Sequence, residues 1–299
     1  MPIDNINEVA VIGAGTMGAQ IAMVCAMAGY SVVLQDVSAE SLINGKRILD
    51  EQMEKRVQKG RLTPEEVSAA FEKIKFTTAL EDLKQTDFVI EAIVEKLEVK
   101  RDLFEKLDRF TPKHAVLATN SSTIVSSRLA DATNRPEQVC NVHFFNPALV
   151  MELVEVVRGP HTSAETAETA MAFVKSINKY PVLLNKEISG FVANRILGKL
   201  MDEAVYLLEN GIASHEDIDI VCKKALNHPI GPFALMDLTG IDVNYLVRMQ
   251  RYQESGDEKD KPAKIVQEKV EKGELGRKTG KGFYTYDSAP AKVVVSKVL

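Results

Sequence analysis

The most constraining feature of the sequence is a glycine-rich turn that directly follows a short apolar run. Residues 9–12 are all apolar, and Gly13, Gly15 and Gly18 follow them at the start of an apolar stretch with helical spacing. A second apolar run comes next and ends at Asp36. The order strand, Gly-x-Gly-x-x-Gly turn, helix, strand and acidic residue is typical of a domain that binds a dinucleotide.

Each glycine of this motif, and the acidic residue that ends it, has a physical role. Gly13 permits the tight turn, Gly15 lets the backbone approach a pyrophosphate, and Gly18 lets the helix pack closely on the strand. The helix N-terminus offers unpaired N–H groups to the same pyrophosphate. The carboxylate of Asp36 can accept hydrogen bonds from a ribose and would repel a 2′-phosphate, which favours NAD over NADP. Outside this context, a solvated strand end would be the better interpretation of Asp36.

The composition is that of an ordinary globular protein and argues against several functions. With 299 residues, 45% of them hydrophobic, the chain suits one large or two medium domains. The net charge of −5 argues against binding to nucleic acid or to an anionic membrane. No apolar run could span a bilayer, and the first strand begins too early for a signal peptide. Cys25, Cys140 and Cys222 lie far apart in apolar surroundings, which indicates buried free thiols and a cytoplasmic protein.

Apolar runs and helical stretches alternate along residues 1–187, and this alternation predicts a mostly parallel sheet with helices on both faces. We expect a Rossmann-like, doubly wound α/β domain that binds NAD there, with a helical hairpin inserted at 38–73. Strand-like runs nearly disappear from 188–299, where 233–251 and three other stretches indicate helices. This C-terminal domain is predicted to be all α, to bind substrate and to form a dimer, because its apolar faces need a partner.

Two titratable residues form a candidate acid–base pair. His143 ends a predicted strand beside an aromatic pair and an Asn-Pro turn, and Glu155 follows twelve residues later on a predicted neighbouring strand. A carboxylate that accepts from one ring nitrogen fixes the tautomer and leaves the other nitrogen to take or return a proton. That arrangement suits the interconversion of an alcohol and a ketone with hydride transfer. A structural histidine and a salt-bridged strand residue are the alternatives.

Ser122 and Asn194 carry polar groups that could hydrogen-bond a substrate oxygen while charge redistributes. A helix N-cap for Ser122 and a helix-surface amide for Asn194 are the alternatives. No His, Cys and acidic residues have the spacing of metal ligands, so we expect no metal site.

The predicted hairpin carries many cationic side chains, and two interpretations of them are open. In the first interpretation they form a solvated helix face, and nearby glutamates partly neutralise its charge. In the second they form a cationic arm over a large substrate that bears phosphates. The cations are Lys46, Arg47, Lys55, Arg56, Lys59 and Arg61.

Four short motifs occur together and in a fixed order, at residues 120–123, 143–147, 190–196 and 231–237. They read Asn-Ser-Ser-Thr, His-Phe-Phe-Asn-Pro, Gly-Phe-Val-Ala-Asn-Arg-Ile and Gly-Pro-Phe-Ala-Leu-Met-Asp. This set resembles the L-3-hydroxyacyl-CoA dehydrogenase family, and the resemblance covers nearly the whole chain. The sequence departs from the family pattern at 148–152, where relatives commonly have a second proline and a lysine.

The resemblance implies a function and a set of site residues. The protein would interconvert (S)-3-hydroxybutyryl-CoA and acetoacetyl-CoA with NAD(H). His143 would be the general base for oxidation, Glu155 its partner, and two polar side chains would hold the substrate's oxygens. Those two are Ser122 and Asn194, and with Lys55 and Lys59 of the hairpin they are the candidate contacts to the CoA substrate. The positions that match the family's NAD contacts are Gly13, Gly15, Met17, Gly18, Asp36, Ala92, Glu95, Lys100, Ser122, Asn146 and Lys278.

Two alternative functions remain open from the sequence. A dehydrogenase that uses NAD or NADP on a hydroxy acid without CoA would differ in its preference between acetoacetyl-CoA and free acetoacetate. A non-catalytic NAD-binding protein on the same scaffold would consume no NADH with any acyl-CoA. The intact set of Ser122, His143, Glu155 and Asn194 argues against the non-catalytic alternative.

Overall fold

The computed structural model describes residue 3 and residues 5–286. The chain divides into two compact units, Met1–Val192 and Ala193–Leu299. The last part of the predicted C-terminal domain, residues 287–299, lies outside the described residues. Within the described part of the chain, no helix combines the length and the apolar character needed to cross a membrane.

An eight-stranded sheet forms the centre of the first unit. Its strands are β1 (Glu8–Ile12), β2 (Ser31–Gln35), β3 (Ile74–Thr77), β4 (Phe88–Glu91), β5 (Val116–Thr119), β6 (Val139–Phe144), β7 (Leu153–Val157) and β8 (Tyr180–Leu184). They lie in the order β3-β2-β1-β4-β5-β6-β7-β8, and every neighbouring pair is parallel except β6–β7, which is antiparallel. The predicted mostly parallel, doubly wound sheet is confirmed. The carboxyl ends of β1 to β6, which all run in the same direction, meet at one edge, where sheets of this kind bind ligands.

Six α-helices accompany the sheet in the described part of the first unit. They are α1 (Thr16–Met27), α2 (Ala39–Gln58), α3 (Pro64–Glu72), α4 (Leu97–Phe110), α5 (Ser127–Ala130) and α6 (Ala164–Ser176). The Ser38 side chain accepts from the N–H of Ser41 (3.2 Å), and Thr63 and Glu66 form a reciprocal capping box. These caps start α2 and α3, which form the predicted helical hairpin between β2 and β3.

Two apolar clusters cover the two faces of the sheet. Along β1, Val9 and Val11 belong to one cluster, while Ala10 and Ile12 belong to the other, as the alternation of side chains along a strand requires. Helices α1 and α6 contribute to the first cluster, and α4 and α5 contribute to the second. Both faces are thus covered by apolar side chains across the sheet from β1 to β7, whereas β8 at the edge is largely exposed.

The second unit is helical in the part that the structure describes. Its helices are α7 (Ala193–Glu209), α8 (His215–Lys224), α9 (Pro232–Thr239), α10 (Ile241–Ser255) and α11 (Lys264–Glu271). The prediction of one helical stretch over 233–251 is wrong. Gly240 separates α9 from α10, because its φ of 105° is incompatible with a helix.

Two buried carboxylates fasten the last described segment to the helices of the second unit. Asp219 accepts from the N–H groups of Phe233 and Ala234 (2.9 Å each) and from the hydroxyl of Tyr284 (2.9 Å). Asp237 accepts from the N–H of Tyr284 at 2.8 Å. Burial, and then the hydrogen bond to Asp219, raise the pKa of the Tyr284 hydroxyl, so the hydroxyl stays protonated as a donor.

Candidate active site

Strand β1 delivers the glycine-rich turn to the carboxyl edge of the sheet. Gly13 has a φ of 102°, a conformation that other residues rarely adopt. A Cβ at Gly18 would lie 1.8 Å from the carbonyl oxygen of Gly13, so the packing of α1 against the turn requires glycine. A Cβ at Gly15 would meet no heavy atom within 4 Å beyond its chain neighbours. Packing within the protein therefore does not require Gly15, whose backbone is open to a ligand.

A cavity of about 570 Å³ adjoins the turn, and Asp36 and Ala92 are among the residues that line it. The carboxylate of Asp36 accepts from the N–H groups of Ala14 (2.8 Å) and Ser38 (2.9 Å), which fix its orientation. Met17 packs partly buried against the core beside the turn. An open glycine backbone at a helix N-terminus and an anchored carboxylate suit the pyrophosphate and the ribose of a dinucleotide, so these residues fit NAD.

A buried ion-pair network links β4, α4 and the chain after β5. The ammonium of Lys100, 1% exposed, lies 2.5 Å from the carboxylate of Glu91 and 3.2 Å from that of Glu95. The hydroxyls of Thr119 and Ser121 donate to Glu91 and Glu95, respectively. Burial alone would raise the pKa of Glu95, but the charge of Lys100 and the hydrogen bonds outweigh it and hold the pKa below 4.5. Both predicted cofactor contacts, Glu95 and Lys100, thus also fix the loop after β5.

His143 and Glu155 face each other on the one antiparallel pair of strands in the sheet. They are direct register partners on β6 and β7, and His143 Nδ1 lies 3.0 Å from Glu155 Oε2. His143 Nε2 lies 2.9 Å from Ser122 Oγ. The side chains of His143 and Glu155 are only 4% and 1% exposed. The structure therefore brings together three of the four side chains that the sequence singles out for catalysis.

Asn141 fixes the loop that carries Ser122. Its side chain accepts from the N–H of Ser126 (2.7 Å) and donates to the carbonyl oxygens of Ser121 (3.4 Å) and Ile124 (3.1 Å). The next helix, α5, begins beyond this loop with Ser126 at its N-cap position, so the alternative of a helix N-cap does not apply to Ser122. Sequence reasoning missed Asn141, because a single polar residue inside an apolar strand carries no recognisable signal.

The remaining predicted residues are distributed over both units. Asn146 is exposed and precedes Pro147 through a cis peptide bond, directly after β6. Asn194 lies in α7 of the second unit. Lys278, also in the second unit, pairs with the carboxylate of Asp242 at 2.5 and 2.6 Å. Among residue 3 and residues 5–286, no three His, Cys or acidic side chains approach closely enough to hold a metal ion.

The cations of the hairpin fall into two groups. Lys46 and Arg47 each pair with an acidic side chain one turn along α2, and Arg56 donates to the carbonyl oxygen of a residue after β6 (2.7 Å). Lys55, Lys59 and Arg61 are exposed, and none of them forms an ion pair within the described residues. The solvated-face interpretation thus accounts for the paired cations, and the two lysines predicted to contact CoA are accessible to a ligand.

Fold and site together define a dinucleotide-binding α/β protein with a histidine–carboxylate pair at the carboxyl edge of its sheet. Residues 8–188 match the NAD binding domain of 3-hydroxyacyl-CoA dehydrogenase, and residues 190–286 match the C-terminal domain of 3-hydroxyacyl-CoA dehydrogenase. The chain belongs to the 3-hydroxyacyl-CoA dehydrogenase family, which confirms the resemblance seen in its four motifs.

Individual relatives are similar over nearly their whole length. A probable 3-hydroxybutyryl-CoA dehydrogenase of Bacillus subtilis is 40% identical over 282 residues, which cover 94% of this chain and 98% of that protein. The crystal structure of (S)-3-hydroxybutyryl-CoA dehydrogenase from Ralstonia eutropha has a TM-score of 0.87 at 40% identity, covering 95% of this chain and 100% of that chain. The crystal structure of FadB2 from M. tuberculosis has a TM-score of 0.88 at 38% identity, with the same coverage.

Proposed function

We propose that the protein interconverts (S)-3-hydroxybutyryl-CoA and acetoacetyl-CoA with NAD(H). The observation that carries the proposal is the chain of hydrogen bonds from Ser122 through His143 to Glu155, in an NAD-binding domain. The names of the Bacillus subtilis and Ralstonia eutropha relatives support the choice of substrate.

His143 is the general base for oxidation in this proposal. Because Nδ1 faces the carboxylate of Glu155, the neutral ring carries its proton on Nδ1, and Nε2, which accepts from the hydroxyl of Ser122, is the nitrogen that takes the hydroxyl proton of the substrate. Bound NAD supplies the acceptor for the hydride that leaves C3. The charge of Glu155 stabilises the imidazolium, and the burial of both side chains strengthens that interaction. In the reverse direction His143 returns the proton.

Ser122 and Asn194 position the substrate's oxygens in the same proposal. Ser122 Oγ lies 2.9 Å from His143 Nε2, so a substrate hydroxyl that reaches this nitrogen also comes within hydrogen-bond range of the serine. Asn194 would add an amide donor from the start of α7. Lys55 and Lys59 would contact the phosphates of CoA.

The cofactor residues divide into those from the glycine turn to Asp36 and those later in the chain. In this proposal the former hold the pyrophosphate and the ribose, and the latter come from the segments after β4, β5 and β6, from α4 and from the second unit. The full set proposed to contact NAD is Gly13, Gly15, Met17, Gly18, Asp36, Ala92, Glu95, Lys100, Ser122, Asn146 and Lys278.

We further propose that residues 188–299 are the substrate and dimerisation domain of a cytoplasmic homodimer. Ile220 and Val221 on α8, and Leu246 and Val247 on α10, are between 44% and 62% exposed, which supports a partner surface. The three cysteines are free and buried, which suits a reducing compartment. Light scattering after size exclusion should give twice the mass of one chain, and a monomer at micromolar concentration would contradict the dimer.

The test of the function is NADH oxidation with acetoacetyl-CoA, with longer 3-ketoacyl-CoA substrates and with free acetoacetate, repeated with NADPH. We expect kcat/KM for acetoacetyl-CoA to exceed that for acetoacetate by about 10³-fold or more, because binding energy from the CoA part contributes to the transition state. Equal values would favour a hydroxy-acid dehydrogenase. No turnover with any acyl-CoA would favour a non-catalytic NAD-binding protein.

A further inference from the structure

One short turn contacts both members of the acid–base pair, and it has an unusual backbone. Gly190 and Phe191 have φ angles of 74° and 49°, and the N–H of Phe191 donates to the carbonyl oxygen of Ile188 at 3.0 Å. Glycine adopts such angles freely, whereas a bulky residue such as phenylalanine rarely adopts them. The phenylalanine is therefore held in this conformation by what its side chain contacts.

The ring of Phe191 is fully buried against His143. Its centroid lies 5.3 Å from that of the imidazole, at an interplanar angle of 57°, and its other neighbours include Val157 and Leu184. Phe145 approaches the same imidazole edge-on at 4.6 Å. The imidazole thus lies against two aromatic rings, and Phe191 also packs in the apolar cluster that it forms with Val157 and Leu184.

The backbone of the same turn holds the carboxylate. The N–H of Val192 donates to Glu155 Oε1 at 3.0 Å, while Glu155 Oε2 lies 3.0 Å from His143 Nδ1. Each carboxylate oxygen therefore has its own partner, and rotation of the carboxylate would break both hydrogen bonds. In a buried site, with little competing water, such hydrogen bonds are stronger than they are in solvent.

We propose that residues 190–192 are a positioning element for the acid–base pair, with Phe191 as the positioning residue. The ring keeps water away from the hydrogen bond between His143 Nδ1 and Glu155, and Val192 fixes the carboxylate. The catalytic consequence rests on the proposed function, whereas the protection of the hydrogen bond does not. Loss of the ring would admit water, let the imidazole reorient and slow proton transfer at Nε2, since small misplacements of reacting groups cost rate steeply.

The test uses F191G and F191L in the full-length protein. Glycine suits the left-handed backbone and removes the ring, so F191G isolates the side chain, and leucine restores part of the bulk. F173L is the matched control, because Phe173 is a fully buried core residue of the first unit and packs in the cluster of Val142 and Val154, on the face of β6 and β7 opposite the pair. The protein has only five histidines, so the Nδ1–H proton of His143 can be assigned in ¹⁵N-histidine-labelled protein by its absence in H143Q.

We expect the exchange of this proton with water to be slowest in wild type and F173L, faster in F191L and fastest in F191G. We also expect kcat to fall about 10- to 100-fold in F191G and less in F191L, with KM for either substrate changing less than threefold. An exchange rate equal to that of wild type in F191L or F191G would overturn the proposal. Because exchange is measured without substrate, a graded exchange series in protein that turns over no acyl-CoA would contradict the proposed function alone.

Discussion

The glycine turn and the acid–base pair lie on one edge of the same sheet, yet they are built by different means. The proposed nucleotide end comes from one contiguous segment, in which the backbone of Gly13 and Gly15 and the carboxylate of Asp36 would hold the pyrophosphate and the ribose. The acid–base end is made of side chains, and strand pairing brings His143 and Glu155 together. This difference implies that cofactor affinity and chemistry can be impaired separately, and the variants of His143, Gly15 and Asp36 test that separation.

The largest effect is expected for H143Q. Removing the base should lower kcat by about 10³-fold, because general acid–base catalysis contributes a factor of that order. The dissociation constant for NADH, measured by fluorescence titration, should stay within twofold of wild type. H114Q is the control, since His114 is an exposed histidine paired with Asp87, and it should retain wild-type turnover. A large loss of NADH affinity in H143Q would show that the two ends are not separable.

The next largest effect is expected for G18A. The added Cβ would lie 1.8 Å from a backbone oxygen, so the turn must distort. Overpacking of this kind costs about 3 kcal/mol, which corresponds to a decrease in Tm of about 6–12 °C. G15A is the matched variant, because its Cβ meets no atom of the protein within 4 Å beyond its chain neighbours. It should keep the Tm of wild type and bind NADH more weakly, and a normal NADH affinity would contradict the role of Gly15.

A smaller effect is expected for D36N. Loss of the charge removes a charge-assisted hydrogen bond to the ribose and the repulsion of a 2′-phosphate. The ratio of kcat/KM for NADH to that for NADPH should therefore fall about tenfold. The kcat at saturating NADH should change less than threefold, because the acid–base pair is untouched. An unchanged cofactor ratio would contradict the assignment of Asp36 to the ribose.

The smallest effect concerns the pH dependence of stability in the loop that links the two ends. Because the pKa of Glu95 is lowered in the fold, its charge stabilises the protein above the ordinary pKa of 4.5, and this stabilisation is lost as pH falls through the lowered value. The Tm of E95Q should lie below that of wild type near neutral pH, because the variant lacks this charge. The decrease should be only about 1–2 °C, because the side chain is partly exposed and solvent screens its charge. The difference should shrink as pH falls below 4.5 and vanish below the lowered pKa, whereas a control variant, E72Q at the exposed end of α3, should show no such convergence.

Local patterns predicted most of the fold, because each strand and cap is encoded within a few residues. The second apolar run, which ends at Asp36, coincides with β2, and side-chain caps at Ser38 and Thr63 start the two helices of the predicted hairpin. The break at Gly240 was not predicted, since apolar residues on both sides of it continue a helical pattern. A single glycine does not show whether the chain will adopt a positive φ there.

The site was predictable only in part, because it depends on contacts between segments that are distant in the sequence. The spacing of His143 and Glu155 suggested neighbouring strands, but their direct pairing depends on the antiparallel register of β6 and β7. The contributions of Asn141 and Phe191 depend on loops that fold back from distant parts of the chain. Such contacts leave no local pattern, so the sequence alone did not indicate them.

The most direct test of the central claim, that Glu155 acts through His143, is a double-mutant cycle on kcat. We expect E155Q to lower kcat by about 10- to 100-fold and H143Q by about 10³-fold. If the carboxylate acts only by orienting and stabilising the imidazole, the double variant should be no slower than H143Q, because the histidine is already absent. A double variant whose losses multiply would contradict the account, since Glu155 would then contribute independently of His143.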